Sequence, residues 1–124
     1  MKSILLVDDS PTLLMSMASV LERSGFAVTK AATGEEGLDK IRGAAAPFSL
    51  IITDYNMPGI NGVEMVRQAR KLPGSRFTPM LLLTTESEQK KRDDAKAAGA
   101  TGWLVKPVPS DKLIQVIKQV VPGA

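Results

Sequence analysis

Short apolar runs alternate along the chain with stretches whose apolar residues recur three or four positions apart. Ile4–Val7, Leu50–Ile52 and Pro79–Leu83 are continuously apolar, as suits strands covered on both faces. Trp103-Leu104-Val105 reads the same way and stops at Lys106-Pro107. Phe26–Ala31 mixes Val28 with Thr29 and Lys30, the composition of an edge strand. Between the runs lie helical patterns. Ser10 is an N-cap with Pro11 at the first helical position, and Leu13, Leu14, Met17, Val20 and Leu21 keep one stripe until Gly25. Met15 is off that stripe, either ordinary surface or part of a docking face. Thr33 and Glu36 form a capping-box pattern before Leu38 and Ile41, and Gly43–Pro47 ends that helix. Asn61 and Glu64 open a third, with Met65, Val66 and Ala69 inward, ending before Pro73-Gly74. Ser87 caps a fourth, with Ala95 and Ala98 inward and Gly99 as its stop. Pro109 begins the last, whose stripe is Leu113, Val116, Ile117 and Val120. Ile114 and Val121 fall about 100° from that stripe, which makes them either extra exposed apolar surface beside Lys118 or a wider core face.

Five strands alternating with five helices predict an α/β domain, a doubly wound five-stranded parallel sheet. Such sheets bind ligands beyond the carboxyl ends of their strands. Read there, the sequence offers Asp8 and Asp9 after the first strand, Asp54 at the end of the third, Thr84 and Thr85 after the fourth, and Lys106 after the fifth. Only the polar second strand supplies no side chain.

Length and charge narrow the setting. At 124 residues the chain is one domain's worth, with a core that needs no disulfide, and it has no cysteine. No apolar run approaches the ~18 residues of a membrane span, and Asp8-Asp9 interrupts the N-terminus before a signal-peptide core is complete. A soluble, cytoplasmic protein with no membrane partner is expected. The formal charge is +3 and the sequence pI about 9.3, but Lys90-Lys91-Arg92 runs straight into Asp93-Asp94. That reads as a solvated helix face rather than a nucleic-acid stripe.

Three carboxylates at one rim repel, by about 4 kcal/mol per pair at 4 Å and an effective dielectric of 20. A bound cation resolves the conflict. An all-oxygen set without His or Cys favours a hard ion, and a site open to water suits Mg²⁺. Taken alone, Asp8 and Asp9 could merely flank a helix N-terminus, where negative charge is stabilised. Asp54, Thr84 and Lys106 at other ends of the same sheet argue for chemistry. A metal-held carboxylate facing a hydroxyl and an ammonium can attack a phosphoryl group, with Asp54 as nucleophile and an acyl phosphate as product.

Asp8-Asp9, Asp54 with Met57-Pro58-Gly59, Thr84 and Lys106-Pro107, in this order and spacing, closely resemble the receiver domains of two-component response regulators. The resemblance covers nearly the whole chain. It implies the flavodoxin-like strand order 2-1-3-4-5, Asp54 as phosphoacceptor, and Asp9, Asp54 and the Asn56 backbone carbonyl as Mg²⁺ ligands, with Asp8 in support through water. It also implies Thr84 and Lys106 as the switch pair and a cis Lys106-Pro107 bond.

Within the family the chain is most similar to CheY-like, single-domain chemotaxis regulators, which makes residues 1–124 one receiver domain with no output domain. Asn56 and Glu86, each two places past a site residue, are implied to tune dephosphorylation. Trp103 stands where the family places a switch Tyr or Phe, Val108 follows Lys-Pro where Phe is common, and the chain is basic where many chemotaxis regulators are acidic. The implied function is Mg²⁺-dependent transfer from the phosphohistidine of a histidine kinase or phosphotransfer domain. Phosphorylation would switch the face of the fourth helix, fifth strand and fifth helix toward an output partner such as a flagellar motor switch protein. A monomeric relay intermediate or phosphate sink fits the same residues. Two rivals fit less well. A flavodoxin would place phosphate where Asp8-Asp9 repels it, and a haloacid-dehalogenase-type phosphatase would carry Asp-any-Asp after the first strand.

Overall fold

A computed structural model describes residues 2–85 and 89–124. Five parallel strands, β1 (Ser3–Val7), β2 (Ala27–Ala31), β3 (Leu50–Asp54), β4 (Met80–Thr84) and β5 (Gly102–Val105), pair in the order β2-β1-β3-β4-β5. The intervening helices are α1 (Pro11–Arg23), α2 (Gly34–Gly43), α3 (Gly62–Ala69), α4 (Gln89–Ala98) and α5 (Ser110–Val120). This is the doubly wound, flavodoxin-like architecture expected from the alternation of patterns.

Strand period two sorts the sheet's side chains into two cores. Leu5, Val7, Ile51, Met80 and Leu82 face α2, α3 and α4, meeting Leu38, Ile41, Met65, Val66, Ala69, Ala95 and Ala98. Ile4, Leu6, Leu50, Ile52, Leu81, Leu83 and Leu104 face α1 and α5, meeting Leu14, Ala18, Leu21, Leu113, Ile117 and Val121. The central strands are therefore apolar on both sides, while β2 carries exposed Lys30 at the edge.

Register fixes where the strands end. Val7 lies opposite Ala31 and Thr53, Asp54 opposite Leu83, and Thr84 opposite Val105, so the carboxyl ends of β1, β3, β4 and β5 share one rim. Caps set the helices behind that rim. Ser10 Oγ accepts from Leu13 N–H, Thr33 Oγ1 from Glu36 N–H at 3.0 Å, and Asn61 Oδ1 from Glu64 N–H at 2.9 Å. Neither acidic residue closes a capping box on its own cap. Glu36 accepts from Ala32 N–H, and Glu64 turns to Arg67 and Gln68.

Several sequence expectations need correction. Leu13 is 39% exposed, and Ala18 takes its place in the α1 core because the buried stripe runs Leu14, Ala18, Leu21. Pro109 is the N-cap of α5, with extended ψ, rather than its first helical residue. Val121 is buried and Ile114, half-buried, packs against the same core, so the two widen the inward face of α5. Ser87, the expected cap of α4, and Glu86 lie outside the described residues. Among the described residues, no helix is long and apolar enough to cross a membrane.

At the opposite pole of the sheet, Arg70 ties three segments together. Its Nε and Nη2 donate to Gly99 O at 3.0 and 2.8 Å, while Nη1 donates to Thr78 O at 2.6 Å, Arg76 O at 3.1 Å and Ser75 O at 3.2 Å. The end of α3, the loop before β4 and the turn after α4 are thus held by one guanidinium.

Candidate functional site

Asp8 leaves the end of β1 almost fully buried. Its backbone N–H donates to Ala31 O at 3.1 Å, so the polar edge strand serves the site through its main chain. Ser10 N–H donates to Asp8 Oδ1 at 2.9 Å. Asp9, next along, is exposed. Asp54 ends β3, also buried, and the loop after it folds back so that Gly62 N–H donates to Tyr55 O at 2.8 Å. That return brings α3 so close that a Cβ on Gly62 would stand 2.3 Å from Asp54 O. Nothing local in the sequence around Gly62 reveals this contact with a carbonyl eight residues earlier.

One carboxylate oxygen from each of Asp8, Asp9 and Asp54 lies within 4.8 Å of the others. Lys106 arrives from the end of β5, its Nζ 3.1 Å from Asp8 Oδ2 and 3.0 Å from Asp54 Oδ1. Its backbone N–H donates to Thr84 O at 2.7 Å, which joins the ends of β4 and β5 at the rim. Thr84 is fully buried there. The Lys106-Pro107 bond is cis. Asn56, exposed, borders an open hollow of about 330 Å³ with Asp9, Met57, Pro58 and Asn61.

Electrostatics follow from this packing. Burial pushes the Asp54 carboxyl above its ordinary range, opposed by the hydrogen bond from Lys106 and reinforced by the charge of Asp8. Burial alone would lower Lys106, but its hydrogen bonds to Asp54 and Asp8 and their charges outweigh that and raise it. One ammonium thus faces three carboxylates, and the surplus negative charge is what a cation would offset. The donor set is all oxygen in a chain without His or Cys, and Asp9 opens the group to water, so the residues fit Mg²⁺.

The structure therefore brings Asp8, Asp9, Asp54, Thr84 and Lys106 to one rim. Trp103 is not among them. It lies on β5 opposite Leu82, half-buried on the α4 side, meeting the Tyr55 ring edge-on with centroids 5.9 Å apart. Its Nε1 is buried and has no hydrogen-bond partner among the described residues. Lys91 Nζ stands 5.2 Å from the centroid of the Tyr55 ring, a contact no sequence spacing announced.

Residues 4–118 match the response regulator receiver domain model. Protein PilH of Pseudomonas aeruginosa is 33% identical over 99% of this chain and 100% of its own length. Chemotaxis protein CheY of the same organism is 30% identical, with 94% of each chain covered. Among solved structures, chemotaxis protein CheY4 of Vibrio cholerae superposes with a TM-score of 0.93 at 40% identity, over 98% of this chain and 99% of that one. Response regulator TrrA of Thermotoga maritima, solved in complex with Mg²⁺ and BeF, gives 0.85 at 32% identity over 98% and 100%.

Proposed function

The chain belongs to the family of response regulator receiver domains, and we propose on that footing that it is a stand-alone, CheY-like phosphoacceptor. The observation that carries the reading is the Lys106 ammonium set between Asp54 and Asp8 at the strand ends, with Asp9 beside them.

Asp54 attacks the phosphorus of a phosphohistidine on a histidine kinase or phosphotransfer domain. The new P–O bond forms as the P–N bond breaks, and that electron pair returns to the donor imidazole. Lys106 then offsets charge on the transferred oxygens, and the Thr84 hydroxyl donates to one of them. Asp8, Asp9, Asp54 and the Asn56 carbonyl would hold Mg²⁺, which supplies charge neutralisation for carboxylates and phosphoryl alike. Asn56 and Glu86 tune hydrolysis of the product. The chain works as a cytoplasmic monomer and a single receiver domain.

The output face in this reading is α4, β5 and α5. Between α4 and β5 a groove of about 350 Å³ is lined by Ala95, Ala100, Trp103 and exposed Val105, with Arg92 and Lys96 among its walls. Such a groove suits an apolar, acidic helix. A flagellar motor switch protein in chemotaxis is the output proposed, and a relay or a phosphate sink is the alternative.

The test is labelling with acetyl phosphate and Mg²⁺. One hydroxylamine-labile phosphoryl per chain, lost in Asp54→Ala and abolished by EDTA, is expected. Undiminished labelling of Asp54→Ala would overturn the assignment, and steady turnover of phosphate esters would favour a phosphatase.

A further inference from the structure

Phe77, in the loop before β4, is 91% exposed, against 70% for Met15, the next most exposed large apolar side chain among the described residues. Scattered exposed apolar residues are ordinary. This one differs in how it is held. The carbonyls on either side of it, of Arg76 and Thr78, both accept from Arg70 Nη1, and Thr78 N–H donates to Ser75 O at 3.3 Å. Ser75 is itself anchored, its Oγ donating to Ala69 O. A backbone pinned on both sides fixes where the side chain leaves the loop, which reduces the backbone entropy lost when the ring is buried by a partner.

The surroundings are cationic. From Met65 to Thr85 the sequence has no Asp or Glu, yet includes Arg67, Arg70, Lys71 and Arg76. Arg67 pairs with Glu64 and Arg70 is spent on carbonyls, whereas Lys71 and Arg76 are exposed and make no ion pair among the described residues. An aromatic anchor beside an arginine is the composition of an interface hot spot.

We propose that Phe77, with Lys71 and Arg76, is a docking point for a protein segment that presents an apolar pocket bordered by carboxylates. Charge complementarity selects the acidic partner. A membrane surface is the weaker fit, because one ring and two cations fall short of the two signals that stable anchoring requires. The docking point lies before the amino end of β4 and Asp54 lies opposite Leu83, so three residues of strand, about 10 Å at 3.3 Å per residue, and the loop that leads into β4 separate the two. A partner here leaves the acidic rim open, and its binding does not depend on the state of Asp54.

The test is selection from a random peptide library on the wild-type chain, with phosphatidylserine vesicles and a random-sequence oligonucleotide as separate probes. Enriched peptides should be acidic and carry several apolar residues that can enclose the ring. They should bind Phe77→Ser and Arg76→Glu about tenfold more weakly or worse, and bind equally with or without beryllofluoride. Phe77 is at the surface, so its loss should leave the fold intact, as a urea melt would verify. The proposal is overturned if no peptide is enriched, if Phe77→Ser binds the peptides like wild type, or if only vesicles or the oligonucleotide are retained.

Discussion

The Lys106 ammonium reaches Asp54 Oδ1 at 3.0 Å, yet the carboxyl it touches still holds its proton more tightly than an ordinary aspartate. Burial and the neighbouring acids outweigh the ion pair. A folded-state pKa above the unfolded one means stability is greater at low pH and is lost as pH rises from 3.8 through the raised value. In EDTA, Asp54→Asn should therefore be more stable than wild type at pH 7, and this advantage should vanish below pH 3.8. Urea melts at both pH values check this. A less stable Asn variant at neutral pH would contradict it.

Lys106 follows the same linkage at a much higher pH. Its raised pKa makes its contribution complete below 10.5 and lost only above that value, so between pH 4 and 8 the ammonium stays charged and only its partners titrate. Lys106→Met should leave two buried carboxylates without their counter-charge and cost about 3 kcal/mol at pH 7. That loss should shrink as Asp54 becomes protonated. A pH-independent loss in EDTA would mean the side chain acts by packing alone.

Gly62 and Gly43 make a matched pair. A methyl at Gly62 meets Asp54 O at 2.3 Å and Leu82 Cδ2 at 2.6 Å, so Gly62→Ala should destabilise by about 2 kcal/mol and slow labelling by shifting the end of β3. At Gly43 a methyl meets nothing, and Gly43→Ala should be neutral or gain about 0.5 kcal/mol. Urea melts and acetyl phosphate labelling rates of both variants decide it.

Arg70→Met should cost about 3 kcal/mol by stripping five hydrogen bonds from carbonyls that no other side chain serves among the described residues. Arg70→Lys should recover little, because an ammonium cannot span the same fork. Full recovery by Lys, read from denaturant midpoints, would show that charge alone matters.

Trp103 is the only Trp in the chain, so intrinsic emission reports on it alone. An indole N–H buried without an acceptor among the described residues costs about 1–3 kcal/mol, which weakens the hold of its present position. Beryllofluoride with Mg²⁺ should change the emission, and Thr84→Ala should alter the amplitude. Flat emission with Asp54 occupied would make Trp103 a static packing residue.

The strands and the rim were legible because both rest on local signals: continuous apolar runs, each closed by a polar residue where a buried strand must stop. Ala18 was missed because a methyl carries little hydrophobic signal, and Leu13 was misplaced because the stripe is narrower than the run of leucines. Arg70 was invisible for another reason. Its partners are backbone carbonyls up to 29 residues away, and carbonyls leave no mark in a sequence. The reach of α5 to Val121 depended on how closely α5 settles against the sheet, which periodicity leaves open.

The contact between Asp8 and Lys106 spans 98 positions. A chain emerging amino end first from the ribosome displays Asp8, Asp9 and Asp54 once three strands exist, but gains its ammonium only after β5. During that interval the acids lack the ammonium that finally pairs with Asp8 and Asp54. The rim thus reaches electrostatic balance from within the chain only when its last strand is in place.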